Sequence, residues 1–447
     1  MATDQRQWKN ATHVRAELVL RRQRSAEIQR AACEVLAREI PDSFETPHPT
    51  VIKSTEGCYV TDVDGNRYID LVMGFGALVL GHRHTAIQKA LHEQVERGFL
   101  FAMRNEMHTE VAQLVQKIVP CAERTLLCNT GSEATMYAIR VARAFTGRHK
   151  VALFDGCYHG NHDYVLARPD PKEPNGKSLF GPGVPDALKE LTLMLPYHDE
   201  AAFSLIRKHA SELALVLVQP VQNSTPSLDN RGFLEKLRDV CRESNVVLGF
   251  DEVVTGFRLA LGGAQEFYDL VPDIATYGKT VAGGVSIGAL CGRADIMSLY
   301  GGAWNTPKRV FQGGTFTGNP LSMAAAVASI RYLMENRNQV YPHLREQSER
   351  FASAVNAFCR EKAMSVHLLN ASSIMSIHFQ DRPLRTARDI EAPNAVAERE
   401  FYLQLMYRGV MALKGMFISI AHSPQAVDTL ITAFQDSLMA VREDGLI

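Results

Sequence analysis

The sequence predicts an α/β fold organised around a large, mostly parallel sheet, and three observations carry that reading. Residues 151–155, 214–221, 246–253 and 287–291 are β-rich and almost uninterrupted apolar runs, as strands buried on both faces should be. Helical patterns such as residues 133–145 and 233–243 lie between them, and strands alternating with helices indicate βαβ units. The chain of 447 residues is 46% hydrophobic and 22% charged, ordinary globular usage, at a length that suggests about two or three domains.

Taken in order, the first 40 residues carry 8 basic and 5 acidic side chains. They lack the apolar stretch of a signal peptide, and the acids disfavour a transit peptide. Ile28, Ala31, Ala32, Val35 and Leu36 fall at helical spacing, which predicts an amphipathic helix over residues 25–40, laid on the body or on a partner chain. Residues 57–71 read as two short strands around an Asp64-Gly65-Asn66 turn. After the first sheet strands, residues 169–185 hold five prolines and three glycines without periodicity. That predicts a long loop, a candidate active-site lid. Residues 322–336 turn helical, and a composition shift near residue 330 marks a C-terminal lobe.

Charge and cysteine usage exclude several function classes. With 48 Lys and Arg against 49 Asp and Glu the net charge is −1, so there is no electrostatic footprint for nucleic acid or an anionic membrane. No run of 18 apolar residues is present to span a bilayer. Eight cysteines show no Cys-x-x-Cys pair, which argues against a disulfide framework or a zinc cage and for a reducing cytoplasm.

Three segments carry candidate chemistry. In CNTGSEATMYAIRVARAFTG, residues 128–147, Thr130 and Glu133 form a Thr-x-x-Glu capping box at a helix start. Gly131 and Ser132 sit in that first turn, where free N–H groups and a positive dipole end suit a phosphate. In VVLGFDEVVTGFR, residues 246–258, a buried strand ends in Asp251-Glu252, at the strand end where α/β sheets bind ligands. In DIATYGKTVAGGVSIGALCGR, residues 273–293, a short strand delivers Lys279, whose amine becomes a nucleophile for carbonyls if burial lowers its pKa. Alone, each has an ordinary structural reading: a capped helix, an ion pair, a surface lysine.

Together they match what a protein supplies to pyridoxal 5′-phosphate (PLP). The helix start takes the phosphate, the acid keeps the pyridine nitrogen protonated, and the lysine holds the cofactor as a Schiff base and moves protons. Asp251 and Lys279 are 28 residues apart, room for one helix between two strands. Tyr158 in FDGCYHG, just past another strand, suits stacking on a flat ring.

From about residue 25 to the C-terminus the chain resembles class III, fold-type I PLP-dependent aminotransferases, and among them the glutamate-1-semialdehyde aminomutase branch. The resemblance rests on NTGSEATMYAIRVAR, FDGCYHG, FDEVVTGFRLALGGAQEFY, YGKTVAGGVSIGALCGR and QGGTFTGNPLSMAAA. It implies Lys279 as the Schiff-base lysine, Asp251 as partner of the pyridine nitrogen, and Gly131 and Ser132 on the phosphate. It further implies Tyr158 over one ring face and Val253 over the other. Thr315 would reach the phosphate of a neighbouring subunit, in a homodimer with composite sites. The implied architecture is a large domain over residues 71–330 and a small α+β domain built from residues 1–70 and 331–447.

Three departures separate the chain from the aminomutases it resembles. Their Ser-Pro-Val-Arg stretch, whose arginine receives the substrate carboxylate, corresponds to SFETPHPTVIKS, residues 43–54. That segment has no arginine, and His48 or Lys53 is not an equivalent fork. Their Phe-Glu-Ala-Gly segment is shortened to ALKGMFISIAHS, residues 412–423, with Lys414 where the acid would be. The usual Glu-Pro-Val reads Gln219-Pro220-Val221, followed by Gln222-Asn223. Phe75, Phe101 and Met103 fall where the resemblance puts substrate-facing loops, with core packing an equal alternative. The expectation is therefore an intermolecular aminotransferase moving an amino group between a small-molecule amine donor and a carbonyl acceptor. Presentation of the substrate on a carrier protein stays open. An intramolecular aminomutase or a racemase on the same scaffold stands second, and a PLP-free binding protein is a distant third.

Overall fold

The computed structural model describes residues 8–37, 50–170, 177–179, 182–303, 305–307, 309–390 and 394–447. His48 and much of the expected lid lie outside the described residues. The chain divides into two compact units, one of residues 1–84, 342–384 and 389–447, the other of residues 85–341 with 385–388.

The second unit is built on a seven-stranded sheet. Its strands in chain order are β1 (Arg124–Cys128), β2 (Lys150–Phe154), β3 (Thr192–Leu195), β4 (Leu213–Val218), β5 (Val247–Asp251), β6 (Ile274–Gly278) and β7 (Gly288–Gly292). They lie in the order β1-β7-β6-β5-β4-β2-β3. Pairing is parallel from β6 through β5, β4 and β2 to β3, and β7 alone runs against its two neighbours. All six residues of β4, LALVLV, are buried, because helices cover both faces of such a sheet. Helix α1 (Gly131–Thr146) turns Ala134, Tyr137, Ala138, Val141 and Ala142 inward onto that core. Helix α2 (Arg231–Glu243) buries Leu234, Leu237, Val240 and Cys241, spaced three or four residues apart on one face.

The other unit is α+β. The hairpin strands Tyr59–Asp62 and Arg67–Asp70 pair antiparallel around the expected turn, and Val410–Met411 from the far end of the chain adds to Arg67–Asp70 in parallel. A second sheet joins Val366–Ala371, Ile374–Phe379 and Gly415–Phe417. The helix expected at residues 25–40 runs over Gln23–Val35 and is preceded by a further one, Lys9–Arg21, whose Val14 and Leu18 pack on Leu403.

One expectation needs correcting in the described part of residues 169–185. Lys177–Leu179 is a strand, paired antiparallel with Ala167–Pro169. Its backbone groups find partners there that a bare loop would have left to water.

Candidate active site

Because the strands other than β7 point the same way, their carboxyl ends form one edge, and the chemistry-bearing residues leave from it. β1 leads through Asn129 and Thr130 into α1, β2 leads to Tyr158, β4 to Gln219, β5 ends in Asp251, and β6 delivers Lys279. Between them lies a cavity of about 180 Å3 lined by Gly131, Ser132, Tyr158, Asp251, Val253 and Lys279. Six of the seven residues named from the sequence thus converge.

Thr315, the seventh, is exposed on a loop held to the start of α1 by Asn129 Nδ2, which donates to Thr317 Oγ1 at 3.4 Å. It does not line this chain's cavity. Phe75, Phe101 and Met103 are 53%, 42% and 82% exposed, so none of the three is core, and none lines the cavity.

At the helix start, Thr130 Oγ1 accepts from Glu133 N at 3.1 Å. The reciprocal half of the expected capping box goes elsewhere: Glu133 Oε2 accepts from Asn129 N at 2.7 Å, one residue beyond the cap. The carboxylate thereby ties the end of β1 to α1. Ser132 Oγ accepts from Asn161 N at 3.3 Å, which leaves its own proton to donate. Gly160 approaches this hydroxyl so closely, with φ of +104°, that a Cβ there would stand 2.5 Å from Ser132 Oγ.

Asp251 is fixed from three sides. Its Oδ1 accepts from Val253 N at 3.1 Å and Thr276 Oγ1 at 3.2 Å, and its Oδ2 is 2.7 Å from His159 Nδ1. Both partners of that ion pair are 3% exposed. Burial alone would lower the pKa of His159. The hydrogen bond and charge of Asp251, with help from Cys157, outweigh it and carry the imidazole up to about 9, so the imidazole is protonated at neutral pH. His159 lies in FDGCYHG beside Tyr158, yet the sequence reading passed over it.

Glu252, flagged with Asp251, faces the other way. It is fully buried and accepts from Thr255 Oγ1, Tyr277 Oη, Gln265 Nε2 and the Ala264 and Gln265 N–H groups. It anchors the following loop and takes no part in the cavity.

Lys279 opens a short 3-10 turn with φ of +46°, a left-handed conformation that costs a non-glycine residue about 1–2 kcal/mol. Its amine pKa is lowered, chiefly by burial and further by the Arg258 charge, against the opposing pull of Asp251. A lysine with a depressed pKa offers the neutral amine that carbonyl chemistry requires.

A flat, phosphorylated pyridine fits these walls. Gly131 packs against Val253, where a Cβ would come within 2.9 Å of both valine methyl groups, so the floor is smooth and tight. Tyr158, 60% exposed, stands at the mouth. His159 Nε2 and Asn223 Oδ1 are buried on the lining with no hydrogen-bond partner among the described residues. Orphaned atoms of that kind cost about 1–3 kcal/mol each unless a polar ligand meets them.

Comparison with known proteins follows the same line. Residues 42–415 match the model of the family described as aminotransferase class-III. Glutamate-1-semialdehyde 2,1-aminomutase of Methanothermobacter thermautotrophicus is 36% identical over 427 residues, covering 94% of this chain and 100% of that protein. Among solved structures, an omega-transaminase from Sphaerobacter thermophilus is 29% identical, with a TM-score of 0.85 over 94% of this chain and 98% of its own. A transaminase with PLP bound is 27% identical, with a TM-score of 0.84 over the same shares.

The His159–Asp251 pair sets a pH dependence. The folded-state pKa of His159 lies above its ordinary value, so the stabilisation is complete below about pH 6.5 and is lost as the pH rises through about 9. Thermal melts of the wild type and His159→Gln should differ most at pH 6, and the gap should close by pH 10. A gap that widens with pH would contradict the assignment.

Proposed function

The chain belongs to the class III aminotransferase family, and from that premise we propose that it moves a primary amino group on and off carbon with Lys279 as proton carrier. The observation that carries this is a lysine of lowered pKa sharing one cavity with a fixed carboxylate and a helix start. The cofactor is pyridoxal 5′-phosphate. When bound, it supplies an electron-accepting ring that spreads the negative charge left on the substrate carbon.

The chain's own residues do the rest. Gly131, Ser132 and the first-turn N–H groups of α1 bind phosphate at the positive end of the helix. Asp251 would present a held carboxylate to the ring nitrogen, and Tyr158 and Val253 would cover the two faces. Lys279 would hold the cofactor, and its amine, once freed, would serve as the neutral base that takes a proton from the substrate carbon and returns it.

Two fates of the nitrogen share these steps. It returns to a neighbouring carbon of the same molecule, or it passes to a second carbonyl compound. The name of the aminomutase relative, 36% identical over 94% of the chain, supports the intramolecular reaction, which therefore moves ahead of the transfer that the sequence reading placed first. Transfer stands second, favoured by the absence of arginine in residues 43–54. Lys414 adds to that reading: it stands where the resemblance expects an acid, with Nζ 3.5 Å from Glu398 Oε1.

We further infer a homodimer in which the exposed Thr315 serves the partner's phosphate. All eight cysteines are free thiols, which supports a cytoplasmic setting. No helix among the described residues is long and apolar enough to cross a membrane.

Borohydride treatment of the holoenzyme followed by peptide mapping should place the cofactor label on Lys279, and Lys279→Ala should lose the label and essentially all turnover. A label on any other lysine defeats the proposal. The two fates separate with a nitrogen-15 donor amine and an unlabelled carbonyl acceptor. Conversion of glutamate-1-semialdehyde to 5-aminolevulinate without exchange from any external donor establishes rearrangement, whereas label in the aminated acceptor establishes transfer. Sedimentation should give a dimer, with Thr315→Ala weakening PLP binding about tenfold, as loss of a hydrogen bond to a charged group does. An active monomer at micromolar concentration would reject the composite site.

A further inference from the structure

The third departure from the aminomutase pattern, Gln219 in place of the usual glutamate, has a structural consequence. The segment of residues 155–158 that carries Tyr158 from the end of β2 is gripped by the segment that follows β4. Gln222 Nε2 donates to Asp155 O at 2.6 Å and Ser224 Oγ donates to Gly156 O at 3.4 Å. Gln219 uses both halves of its amide on one residue, Nε2 donating to Tyr158 O at 2.8 Å and Oε1 accepting from Tyr158 N at 3.4 Å. Gln219 is 4% exposed and lines the cavity, and Tyr197 Oη pins its own carbonyl from behind at 3.1 Å.

A carboxylate could still accept from Tyr158 N. It has no proton to donate, so its second oxygen would face the Tyr158 carbonyl oxygen without a bridge. It would also add a second acid to a cavity in which Asp251 is the one acidic lining residue among the described residues.

We propose that Gln219 is a positioning residue, whose amide locks the Tyr158 backbone so that the tyrosine ring sits over the cofactor, and that this lock works only while position 219 can both donate and accept. The proposal rests on the reading of Tyr158 as the cover of one ring face. It reaches beyond that reading by naming the group that sets the ring's height.

Gln219→Glu makes the lock conditional on pH. Burial at this 4%-exposed position lifts the carboxyl above its ordinary value of about 4.3, so that it takes up a proton in mild acid. Protonated, the glutamic acid donates through its hydroxyl and accepts through its carbonyl, much as the amide does. Ionised, it loses the donor. The titratable and charged groups around the segment are Asp155 with its partner Arg388, Cys157, His159, Tyr197, Asp251 and Lys279. All are present in the wild type, so the ratio of variant to wild type at each pH isolates position 219.

The measurement is the dissociation constant of pyridoxamine phosphate from the apo-protein, by calorimetry at pH 8.5 and pH 5.5, with hydrogen exchange of residues 156–160 as a readout independent of ligand. For Gln219→Glu the constant should be about tenfold that of the wild type at pH 8.5 and within about threefold at pH 5.5, the scale of one hydrogen bond. Exchange at residues 156–160 should rise at the higher pH only. Gln219→Leu, which can do neither, should be weakened equally at both pH values.

A Gln219→Glu protein that matches the wild type at pH 8.5, or that is impaired equally at both values, overturns the proposal. Tyr158→Ala separates the two levels of the argument. If it binds pyridoxamine phosphate as tightly as the wild type, the reading of Tyr158 fails and the lock with it. If it binds more weakly while Gln219→Glu does not, only the lock fails.

Discussion

The buried pair between His159 and Asp251 is the constraint around which the cavity is arranged. A pair of polar groups at 3% exposure is costly to hide, and it is held because the remaining capacity of Asp251 is used. His159 Nε2 is left facing the cavity without a partner among the described residues. Asp251 takes bonds from Val253 N and Thr276 Oγ1 besides the imidazole. The pair spans two loops from different strands, since His159 follows β2 and Asp251 ends β5 with β4 between them. Fixing it fixes the distance between those loops. Tyr158 is adjacent to one partner and Val253 is two residues from the other, so the two faces offered to a flat ring are set by the same interaction.

The parallel sheet is what makes such a pair reachable. Consecutive strands in one direction place the residue after every strand on one edge, and the helices between them absorb the intervening chain. Asp251 and Lys279 therefore meet after 28 residues, and His159 meets Asp251 across 92. β7 is the exception, running back between β6 and β1. Its reversal leaves β1, and hence the start of α1, two positions from Lys279 in the sheet, which brings that helix start and the lysine into one cavity.

The sheet was largely legible because apolar runs such as LALVLV have few other interpretations. Lys9–Arg21 was not, since Ala11, Val14 and Leu18 are thinly spread among polar residues and mark no strong face. Site residues carried by local chemistry were legible too: a Thr-x-x-Glu helix start and a lysine among glycines are visible in a one-dimensional string. His159 was hidden for the opposite reason. Its meaning comes from a partner 92 residues away, and a histidine between tyrosine and glycine carries no local signal. Glu252 and Asp251 are indistinguishable as neighbours in sequence. Only the strand's alternation, which turns successive side chains to opposite faces, assigns one to the cavity and the other to the loop behind it. Gln219 was seen as a departure, but its role required knowing which backbone atoms it faces.

The charges in the cavity have separate duties, and that separation bears on how the site works. Asp251 accepts from His159 and raises its pKa to about 9, so the imidazole keeps its proton near neutral pH. The helix start contributes a fixed partial positive charge that does not titrate at all. Arg258, fully buried behind the site, is drawn down by burial to about 9 and still adds a positive field there. Each of these influences presses on Lys279, where desolvation and Arg258 favour the neutral amine and Asp251 favours the charged one. Burial prevails, so the amine is more readily neutral than that of a free lysine. The role proposed for Lys279, holding a cofactor and then carrying a proton, needs that property. The left-handed backbone at Lys279 is part of the same arrangement, held between strand β6 before it and the 3-10 turn that it opens.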